Sequence, residues 1–537
     1  MVGVPDLNGG EPSTWQNLFA ALIAAVGLIA VGFTYAAVFA GGIGWDAEFD
    51  IGAYLQVKEL PPVTSLEEAY EQVVYTSEFY GLLVPQLAEF LWGIASPNQA
   101  FLPGVLQVHQ LLAVINVTVA VSGALALASA IWLVFRSALV AAFSWALIVT
   151  MPLFEGLAHV DWKDVPIAAG ISIMSAGLVL SLGLGTLRGR IAVGVAMASV
   201  GSSIAIASRP GAWVIVALVA GCSLTILAVA LALRRSLRCL LIPAASVLAA
   251  GLFSLVLVWL TNPIARLGIV EWLIDAALVS QDNPWWGVVL TNGIQVNAAN
   301  LPLWYPAAWL LAQLPLLVAV TLLASALLMT GTFFGWDIAP SKRQLVLLTP
   351  LISQAVVAPA LIVLTRPVIY DGIRHLLFFI PALLALGGVA LSGFLEQSKI
   401  GRSRRAATVA SLTAFAVVIV SLWGIVRWFP YEYPFINPIA GRNHETRQWE
   451  LDYWGVSAIE GHRRLSELGL EPIVVEPTDA TARVVGGQAR NNLENDVEQY
   501  GLYVFLRGDS SIGSCQELFT IERDRHILGI GARCSSE

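Results

Sequence analysis

Long uninterrupted runs of apolar residues dominate the chain, and short polar or charged segments separate them. Runs of about 18 residues or more are typical of helices that cross a membrane. None of the long runs carries Asp, Glu, Lys, Arg or His within its apolar body, so the charges collect at the ends of the predicted spans. The pattern predicts eleven spans, at 18–39, 111–134, 138–154, 166–187, 191–208, 212–233, 240–261, 305–330, 345–364, 375–395 and 406–427.

The overall composition agrees with this pattern. The chain is 57% hydrophobic and 12% charged, with a mean hydropathy of +0.74, which excludes an ordinary soluble protein. A net charge of −8 and the lack of a basic tract argue against binding to nucleic acid. The first 16 residues contain no Lys or Arg and no small-residue cleavage site, so we expect the first apolar run to be a retained anchor.

The distribution of basic residues predicts the orientation of the chain in the membrane. Five short connections on one side of the predicted spans carry 12 Lys and Arg residues, whereas the longer connections on the other side carry six. Because short basic loops stay in the cytoplasm, we expect the first set there. Eleven spans then leave the N-terminus in the cytoplasm and the C-terminus outside it.

The composition changes after residue 427 from that of a membrane protein to that of a soluble domain. We therefore predict a transmembrane domain over 1–427, with interfacial helices in its first outer loop, and an extracytoplasmic domain over 428–537. In the second domain the pattern predicts a helix over 456–468 that ends at Gly469. Strands are predicted at 472–475, 500–506, 515–521 and 526–533. Cys515 and Cys534 share this domain, and they are able to pair if it lies outside the cytoplasm.

The stretch that follows the first span places three carboxylates at the membrane surface: Asp46, Glu48 and Asp50. A charge beside hydrocarbon is costly unless it is solvated, paired or used in a function. We interpret these acids as candidates for a catalytic base, with Asp46 first. An ordinary polar loop with a helix N-cap at Asp46 or Asp50 remains the alternative.

The other outer loops supply the groups that transfer from a lipid-phosphate sugar needs. Such an enzyme needs a base for the acceptor hydroxyl, cations for the departing phosphate and aromatic surfaces for sugars. The second outer loop adds the acids Asp161 and Asp164. The candidate cations are Lys163, Arg209, Arg366, Arg374 and His375, and the candidate aromatic residues are Trp285, Trp286, Trp304 and Tyr305. Loop ion pairs, helix caps, headgroup contacts and an interfacial aromatic belt are the structural alternatives.

Several stretches, in this order, resemble the GT-C class of glycosyltransferases and, more specifically, bacterial members of the protein-mannosyltransferase-like family, glycosyltransferase family 39. They are Glu78-Phe-Tyr-Gly81, Gly156-Leu-Ala-His-Val-Asp-Trp-Lys-Asp-Val-Pro166, Leu301-Pro-Leu-Trp-Tyr-Pro306, Tyr370-Asp-Gly-Ile-Arg-His375 and Glu450-Leu-Asp-Tyr-Trp-Gly455. The resemblance implies a multi-pass enzyme of the bacterial plasma membrane that takes a polyprenyl-phosphate sugar donor.

The same resemblance implies particular roles for the outer acids. It makes Asp46 the catalytic acid of the first outer loop, although Glu48 and Asp50 compete with it because the usual adjacent acid is absent. Asp164 matches a second acidic position, with Lys163 before it and Asp161 nearby. Acids at such positions hold either the phosphate or a divalent cation such as Mg or Mn, and the sequence leaves this choice open.

The expected fold is thus an all-α polytopic membrane protein, GT-C-like with about eleven transmembrane helices, followed by a small α/β domain. The expected function is sugar transfer to an extracytoplasmic glycan, lipid or protein, with inversion at the anomeric carbon. Two alternatives come from other classes: a transporter or lipid flippase, and a non-catalytic glycan-binding protein of envelope assembly. The sequence decides neither the sugar nor the acceptor, and mannosyl and arabinofuranosyl transfer both stay open.

Overall fold

A computed structural model describes residues 14–44, 46–73, 77–79, 81–101, 106–183, 188–232, 240–281, 285, 287–400, 404–442, 447–478, 481–482, 485–492, 498–506 and 511–535. The description leaves out the side chains of Glu48, Arg188, Leu231, residues 397–400, Arg404 and Asn491. Helices make up most of these residues, because the long apolar runs satisfy their backbone groups internally.

The first half of the chain contains twelve helices among the described residues, several of them long enough to cross a bilayer. They are α1 (Thr14–Ala40), α2 (Asp46–Lys58), α3 (Leu66–Gln72), α4 (Leu83–Ala95), α5 (Leu106–Phe135), α6 (Ala138–Val149), α7 (Pro152–Ala158), α8 (Asp164–Gly183), α9 (Arg188–Ser208), α10 (Trp213–Ala232), α11 (Leu241–Thr261) and α12 (Ile269–Gln281).

The helices of the second half are shorter and more often broken. They are α13 (Tyr305–Gln313), α14 (Leu316–Gly331), α15 (Lys342–Leu347), α16 (Thr349–Ile352), α17 (Ala358–Leu364), α18 (Ile380–Leu386), α19 (Gly388–Ile400), α20 (Arg404–Trp428) and α21 (Ala458–Glu467). A π-helical segment, Ser353–Val357, joins α16 to α17, and a 3₁₀ segment, Arg374–Phe379, leads into α18.

The chain is a multi-pass membrane protein. Eight helices are long and apolar enough to cross a membrane, and two bent pairs raise this number to ten within the described residues. The bent pairs are α6 with α7 and α13 with α14. The ninth predicted span, 345–364, corresponds to an apolar helix over Thr349–Leu364 that is shorter than 18 residues. A span needs about 20 residues, so the expected count of eleven exceeds by one the ten that length and composition support.

Close packing of small residues joins α8 to α9 in the bundle. A Cβ atom added to Gly170 would lie 2.5 Å from the carbonyl oxygen of Gly201, and one added to Gly201 would lie 2.4 Å from that of Gly170. Helices in a membrane gain most of their association energy from such close contact, because lipid offers no hydrophobic contrast. Either glycine position therefore excludes a side chain.

The predicted first outer loop contains short helices. Helix α3 begins after Ser65, whose side chain accepts a hydrogen bond from the backbone N–H of Glu68. Helix α4 is short and apolar, and it exposes Leu87, Phe90 and Ile94 on one side. The fourth outer loop adds an unpredicted hairpin of β1 (Val288–Thr291) and β2 (Ile294–Asn297), whose turn residues Asn292 and Gly293 both have positive φ.

The C-terminal region forms a small α/β domain. Its strands are β3 (Ile473–Glu476), β4 (Gln499–Phe505), β5 (Gln516–Arg523) and β6 (His526–Ser535), in the sheet order β3-β4-β6-β5. Strands β3 and β4 are parallel and the other pairs are antiparallel, and α21 packs on β4 and β6. These elements confirm the predicted helix and strands, and a disulfide joins Cys515 to Cys534.

Candidate active site

Helix α2 places two of the predicted catalytic acids on one face. Asp46 is its first residue and Asp50 lies one turn later, a spacing that brings the two side chains to the same side. The Asp46 side chain is 18% exposed, whereas Asp50 is buried. The α2 start therefore presents one accessible carboxylate with a buried one behind it.

The second outer loop delivers a cation to these acids. One carboxylate oxygen of Asp161 accepts hydrogen bonds from the backbone N–H groups of Lys163 (3.0 Å) and Asp164 (2.9 Å), which fixes the turn before α8. Lys163 Nζ then lies 3.1 Å from Asp46 Oδ2 and 2.9 Å from Asp50 Oδ1. Lys163 thus bridges both acids of α2 from another loop.

Arg374 occupies the centre of the site and is only 2% exposed. Its guanidinium nitrogens lie 3.3 Å from Asp371, 3.6 Å from Asp164 and 3.8 Å from Asp46. A buried cation of this kind is stable only when carboxylates surround it. Arg374 therefore ties the first, second and fifth outer loops together.

Two aromatic rings complete the surroundings of Arg374. Its guanidinium carbon lies 5.0 Å from the centre of the Tyr370 ring and 4.9 Å from that of Trp454. Tyr370 in turn stacks on Trp285, with ring centres 4.2 Å apart, and meets the His375 ring edge-on at 4.6 Å. Cation–π contacts of this geometry hold the guanidinium plane in place.

The remaining cation, Arg209, is the most accessible of the three. It follows α9 directly, its Nη1 lies 3.5 Å from Asp164 Oδ1, and its side chain is 27% exposed. We use the name acid–base cluster for these seven residues together: Asp46, Asp50, Lys163, Asp164, Arg209, Asp371 and Arg374. They come from four separate outer segments of the chain.

Burial changes the ionisation of two acids at this site. It raises the pKa of Asp50 to about 6 against the lowering effect of Lys163, and the charge of Asp46 adds to the rise. Burial, followed by the charge of Asp164, holds the pKa of Asp161 well above its ordinary value. Both groups therefore retain a proton at pH values where an exposed aspartate has lost it.

The C-terminal region reaches into the site through the segment 452–456. Asp452 accepts hydrogen bonds from the Tyr433 hydroxyl, the Ser457 hydroxyl and the backbone N–H of Val456 and Ser457. Burial raises the pKa of Asp452 to about 6, although these hydrogen bonds lower it. A Cβ at Gly42 would lie 1.9 Å from the Val456 carbonyl oxygen, so only glycine fits beside this segment.

The structure brings together Asp46, Asp50, Lys163, Asp164, Arg209 and Arg374 from the predicted site residues, with Asp161 shaping the turn between them. Trp285 and His375 contact the ring of Tyr370, which in turn contacts Arg374. Arg366 is exposed, and no ion pair of the described residues includes it. Trp304 is 44% exposed at the start of α13. The side chain of Glu48 and all of Trp286 lie outside the described residues.

Two predicted roles need correction. Tyr305 is completely buried, and its hydroxyl donates a hydrogen bond to the Gly372 carbonyl, so it supports the fifth outer loop and has no surface for a sugar. Arg374 is too deeply buried to hold a departing phosphate directly, because carboxylates and rings already surround its guanidinium. It is placed to position Asp46 and Asp164 instead.

The sequence left open whether the acids of the second outer loop hold a divalent cation. Among the described residues, no group of three or more His, Cys, Asp or Glu side chains is arranged to hold a metal ion. His159 is buried and its Nδ1 lies 3.3 Å from the Glu155 carbonyl oxygen, while Asp164 faces two arginines. Asp164 therefore has cationic partners in the described part of the chain, and its carboxylate is not grouped with other acids as a divalent cation requires.

Three residues of the site were not predicted from the sequence as site residues: Tyr370, Asp371 and Trp454. Asp371 and Gly372 both have positive φ, which makes the sharp turn that points Asp371 at Arg374. An Asp-Gly pair between a tyrosine and an arginine is a local signal for such a turn. Nothing in the sequence near Trp454 indicates that it contacts Arg374.

No family model matches the sequence, and no curated protein matches it either. Solved structures that are similar to the chain include ArnT from Cupriavidus metallidurans in the apo state, at 12% identity over 96% of this chain and 97% of that one, with a TM-score of 0.48. ArnT from the same organism bound to undecaprenyl phosphate is 12% identical over 96% of this chain and 98% of that one, with a TM-score of 0.47. A third similar structure is the archaeal oligosaccharyltransferase AglB from Archaeoglobus fulgidus in complex with an inhibitory peptide and a dolichol-phosphate. It is 12% identical over 89% of this chain and 64% of that one, with a TM-score of 0.44. Similarity at this level does not by itself assign an activity.

Proposed function

We propose that the chain is a membrane glycosyltransferase that moves a sugar from a polyprenyl-phosphate donor to an extracytoplasmic hydroxyl acceptor. The observation that carries the proposal is the placement of one partly exposed carboxylate, Asp46, close to two cations that are partly exposed as well, Lys163 (14%) and Arg209 (27%). Lys163 lies 3.1 Å from Asp46, and Arg209 reaches the same group of residues through Asp164. A base next to an anion-binding pair matches acceptor activation and phosphate departure in one reaction.

The proposed step is a single displacement. Asp46 takes the proton of the acceptor hydroxyl, and the acceptor oxygen forms a bond to the anomeric carbon of the donor. The bond from that carbon to the phosphate oxygen breaks, and its electron pair stays on the phosphate, whose new charge Lys163 and Arg209 neutralise. The attack inverts the anomeric configuration, and Asp46 passes its proton to water. Arg374 acts through Asp46 and Asp164 by fixing their positions.

The proposal places the acid–base cluster on the outer side of the membrane, with the N-terminus in the cytoplasm. The excess of basic residues in the loops at the other ends of the spans supports this orientation. The disulfide between Cys515 and Cys534 also supports it, because disulfides persist outside the cytoplasm.

The placement of charges in the spans favours an enzyme over a transporter or flippase. In the eight candidate spans every Asp, Glu, Lys, Arg and His lies within four residues of one end. Ion-coupled transport usually needs ionisable groups near the middle of the membrane. The grouped charges at one end suit chemistry at the interface.

The test is a transfer assay with purified full-length protein in lipid nanodiscs. The probes are undecaprenyl phosphates that carry mannose or arabinofuranose, an extract of bacterial envelope lipids and glycans supplies the acceptor hydroxyl, and release of undecaprenyl phosphate is the readout. We expect Asp46→Asn to lower the rate by about 10²–10⁴-fold, the usual contribution of a general base. Asp337→Asn, which changes an exposed acid at the far end of the bundle, is the matched control and should leave the rate unchanged.

Two further variants separate the competing acids of α2. Asp50→Asn should lower the rate less than Asp46→Asn, because Asp50 is buried and acts on Lys163. Glu48→Gln should have little effect if Asp46 is the base. Full activity in Asp46→Asn would reject the assignment of the base, and a lack of release from either donor by the wild type would reject both of these sugars as donors.

A further inference from the structure

A cavity lies between the helices at the end of the bundle opposite to the acid–base cluster. Its volume is about 780 Å³, and it is lined where α5 ends and α6 begins, by the start of α15 and by residues 392–396 of α19. None of its residues belongs to the proposed reaction. A cavity of this size accommodates the head group and first chain segments of a lipid.

The charges in this cavity favour an anion. Arg136 and Arg343 line it, against one acid, Glu396. The side chain of Ser137 caps α6, so the positive end of that helix dipole also faces the junction of α5 and α6. Two guanidinium groups at a helix start form a good environment for a phosphodiester, whose oxygens accept several charge-assisted hydrogen bonds.

The backbone at Arg136 is unusual in a way that suggests function. Arg136 has φ of 54°, in the left-handed region that side chains other than Gly, Asn and Asp rarely adopt. Its guanidinium lies 5.1 Å from the centre of the Trp132 ring on the preceding turn. Backbone positions of this kind cluster at binding and active sites, so the φ of Arg136 marks this turn as a candidate binding position.

The surface next to the cavity is aromatic and exposed. The turn after α14 exposes Phe333 (79%), Phe334 (73%) and Trp336 (49%), and the chain continues from there into the cavity wall at Ile338. Exposed aromatic side chains at the end of a span are typical of the lipid–water interface. The cavity therefore lies at the depth of the lipid head groups.

We infer that this cavity binds the head group of an anionic phospholipid from the membrane leaflet opposite to the catalytic side. Arg136 and Arg343 hold the phosphodiester, and Trp132 and the neighbouring apolar wall contact the upper acyl chains. Basic pockets between spans at the cytoplasmic surface are suited to this chemistry because that leaflet is rich in anionic lipid.

The test measures lipid binding by full-length protein with native mass spectrometry, using phosphatidylglycerol or phosphatidylcholine as the added lipid. Wild-type protein should bind phosphatidylglycerol at least tenfold more tightly than phosphatidylcholine. The double variant Arg136→Asn with Arg343→Gln should bind phosphatidylglycerol about 25-fold more weakly, from the loss of two cations near the head group. Asparagine at 136 tolerates the left-handed backbone, which separates the loss of binding from misfolding.

Arg190→Gln is the matched control, because Arg190 is another exposed basic residue at this end of the bundle and does not line the cavity. It should bind phosphatidylglycerol as the wild type does. A second measurement needs no variant: a photoactivatable phosphatidylglycerol should label peptides over 132–140 and 338–347. Equal binding of the two lipids, unchanged binding in the double variant, or labelling centred on the other basic connections would overturn the inference. Displacement of the lipid by millimolar inorganic phosphate would overturn the lipid assignment and indicate a site for free phosphate.

Discussion

Asp50 and Asp452 are both buried carboxyl groups, but different kinds of partner stabilise their ionised forms. Burial raises the pKa of each to about 6. Asp50 is paired with a charged side chain, Lys163, which comes from another loop. Asp452 is held by hydroxyl and backbone N–H groups, and the Ser457 hydroxyl continues this network to Tyr503 at 2.6 Å.

This difference in partners indicates different roles for the acid–base cluster and for the region around Asp452. A charged partner can be shared, since the ammonium of Lys163 has three N–H donors and can bind a phosphate while it stays beside Asp46 and Asp50. Neutral donors around Asp452 are fixed by the fold and leave no group free for a ligand. We therefore interpret the acid–base cluster as reactive, and the network around Asp452 as the part that holds the C-terminal region against the first outer loop.

The largest expected effect on stability comes from removing the central cation of the acid–base cluster. Arg374→Met leaves Asp371 and Asp164 buried without their partner, so the free energy of unfolding should fall by about 3–5 kcal/mol. Thermal or denaturant unfolding in detergent measures the change. Arg209→Met is the comparison, because that side chain is partly exposed with one long ion pair, and it should cost less than about 1 kcal/mol. Equal costs for the two variants would contradict the central role of Arg374.

The next effect concerns the fixed network. Asp452→Ala leaves the Tyr433 hydroxyl and two backbone donors without an acceptor, and the free energy of unfolding should fall by about 2–3 kcal/mol. Asp452→Asn keeps an acceptor oxygen and should cost about half as much. The same denaturation experiment measures both. If Asp452 instead takes part in the reaction, Asp452→Asn will abolish sugar transfer while stability stays near that of the wild type.

The pH dependence separates the two aspartates. An acid whose pKa is higher in the folded than in the unfolded protein stabilises the fold fully at pH below 3.8, and this stability is lost as the pH rises through about 6. Through both residues, the free energy of unfolding should therefore decrease as the pH rises from about 4 to about 6. Of these two aspartates, only Asp50 contacts Lys163. The transfer rate should therefore rise as the pH passes 6, because the ionised Asp50 carboxylate then holds Lys163 in position. Asp50→Asn should remove this limb of the rate profile and Asp452→Asn should keep it.

The smallest effect tests the contact between the two regions. Trp454→Leu removes one ring from Arg374 and should cost about 0.5–2 kcal/mol of interaction energy. We expect a fall in kcat of roughly 3- to 10-fold with little change in KM, because Arg374 positions Asp46 and does not touch the substrate. Trp423→Leu changes an exposed ring of α20 and is the control. A change in KM alone would indicate that Trp454 contacts the sugar.

The sequence by itself determined most of the architecture. Apolar runs fix the spans because a backbone in lipid must satisfy its own hydrogen bonds, and the shift of composition after residue 427 marks the α/β domain. A stop signal such as Gly469 was sufficient to place the end of a local helix. The same alternation of spans predicts that Asp46, Lys163, Arg209 and Arg374 share one side of the membrane.

Only the tertiary structure decided how these outer residues meet. Lys163 and Asp46 are 117 residues apart, and no local pattern encodes a pairing between loops that the packed bundle brings together. The burial of Tyr305 and Arg374 also depends on packing from distant segments, among them Trp454 of the C-terminal region. Local sequence specifies periodicity and turns, whereas the choice among several possible partners for a charge is made by the three-dimensional arrangement that buries it.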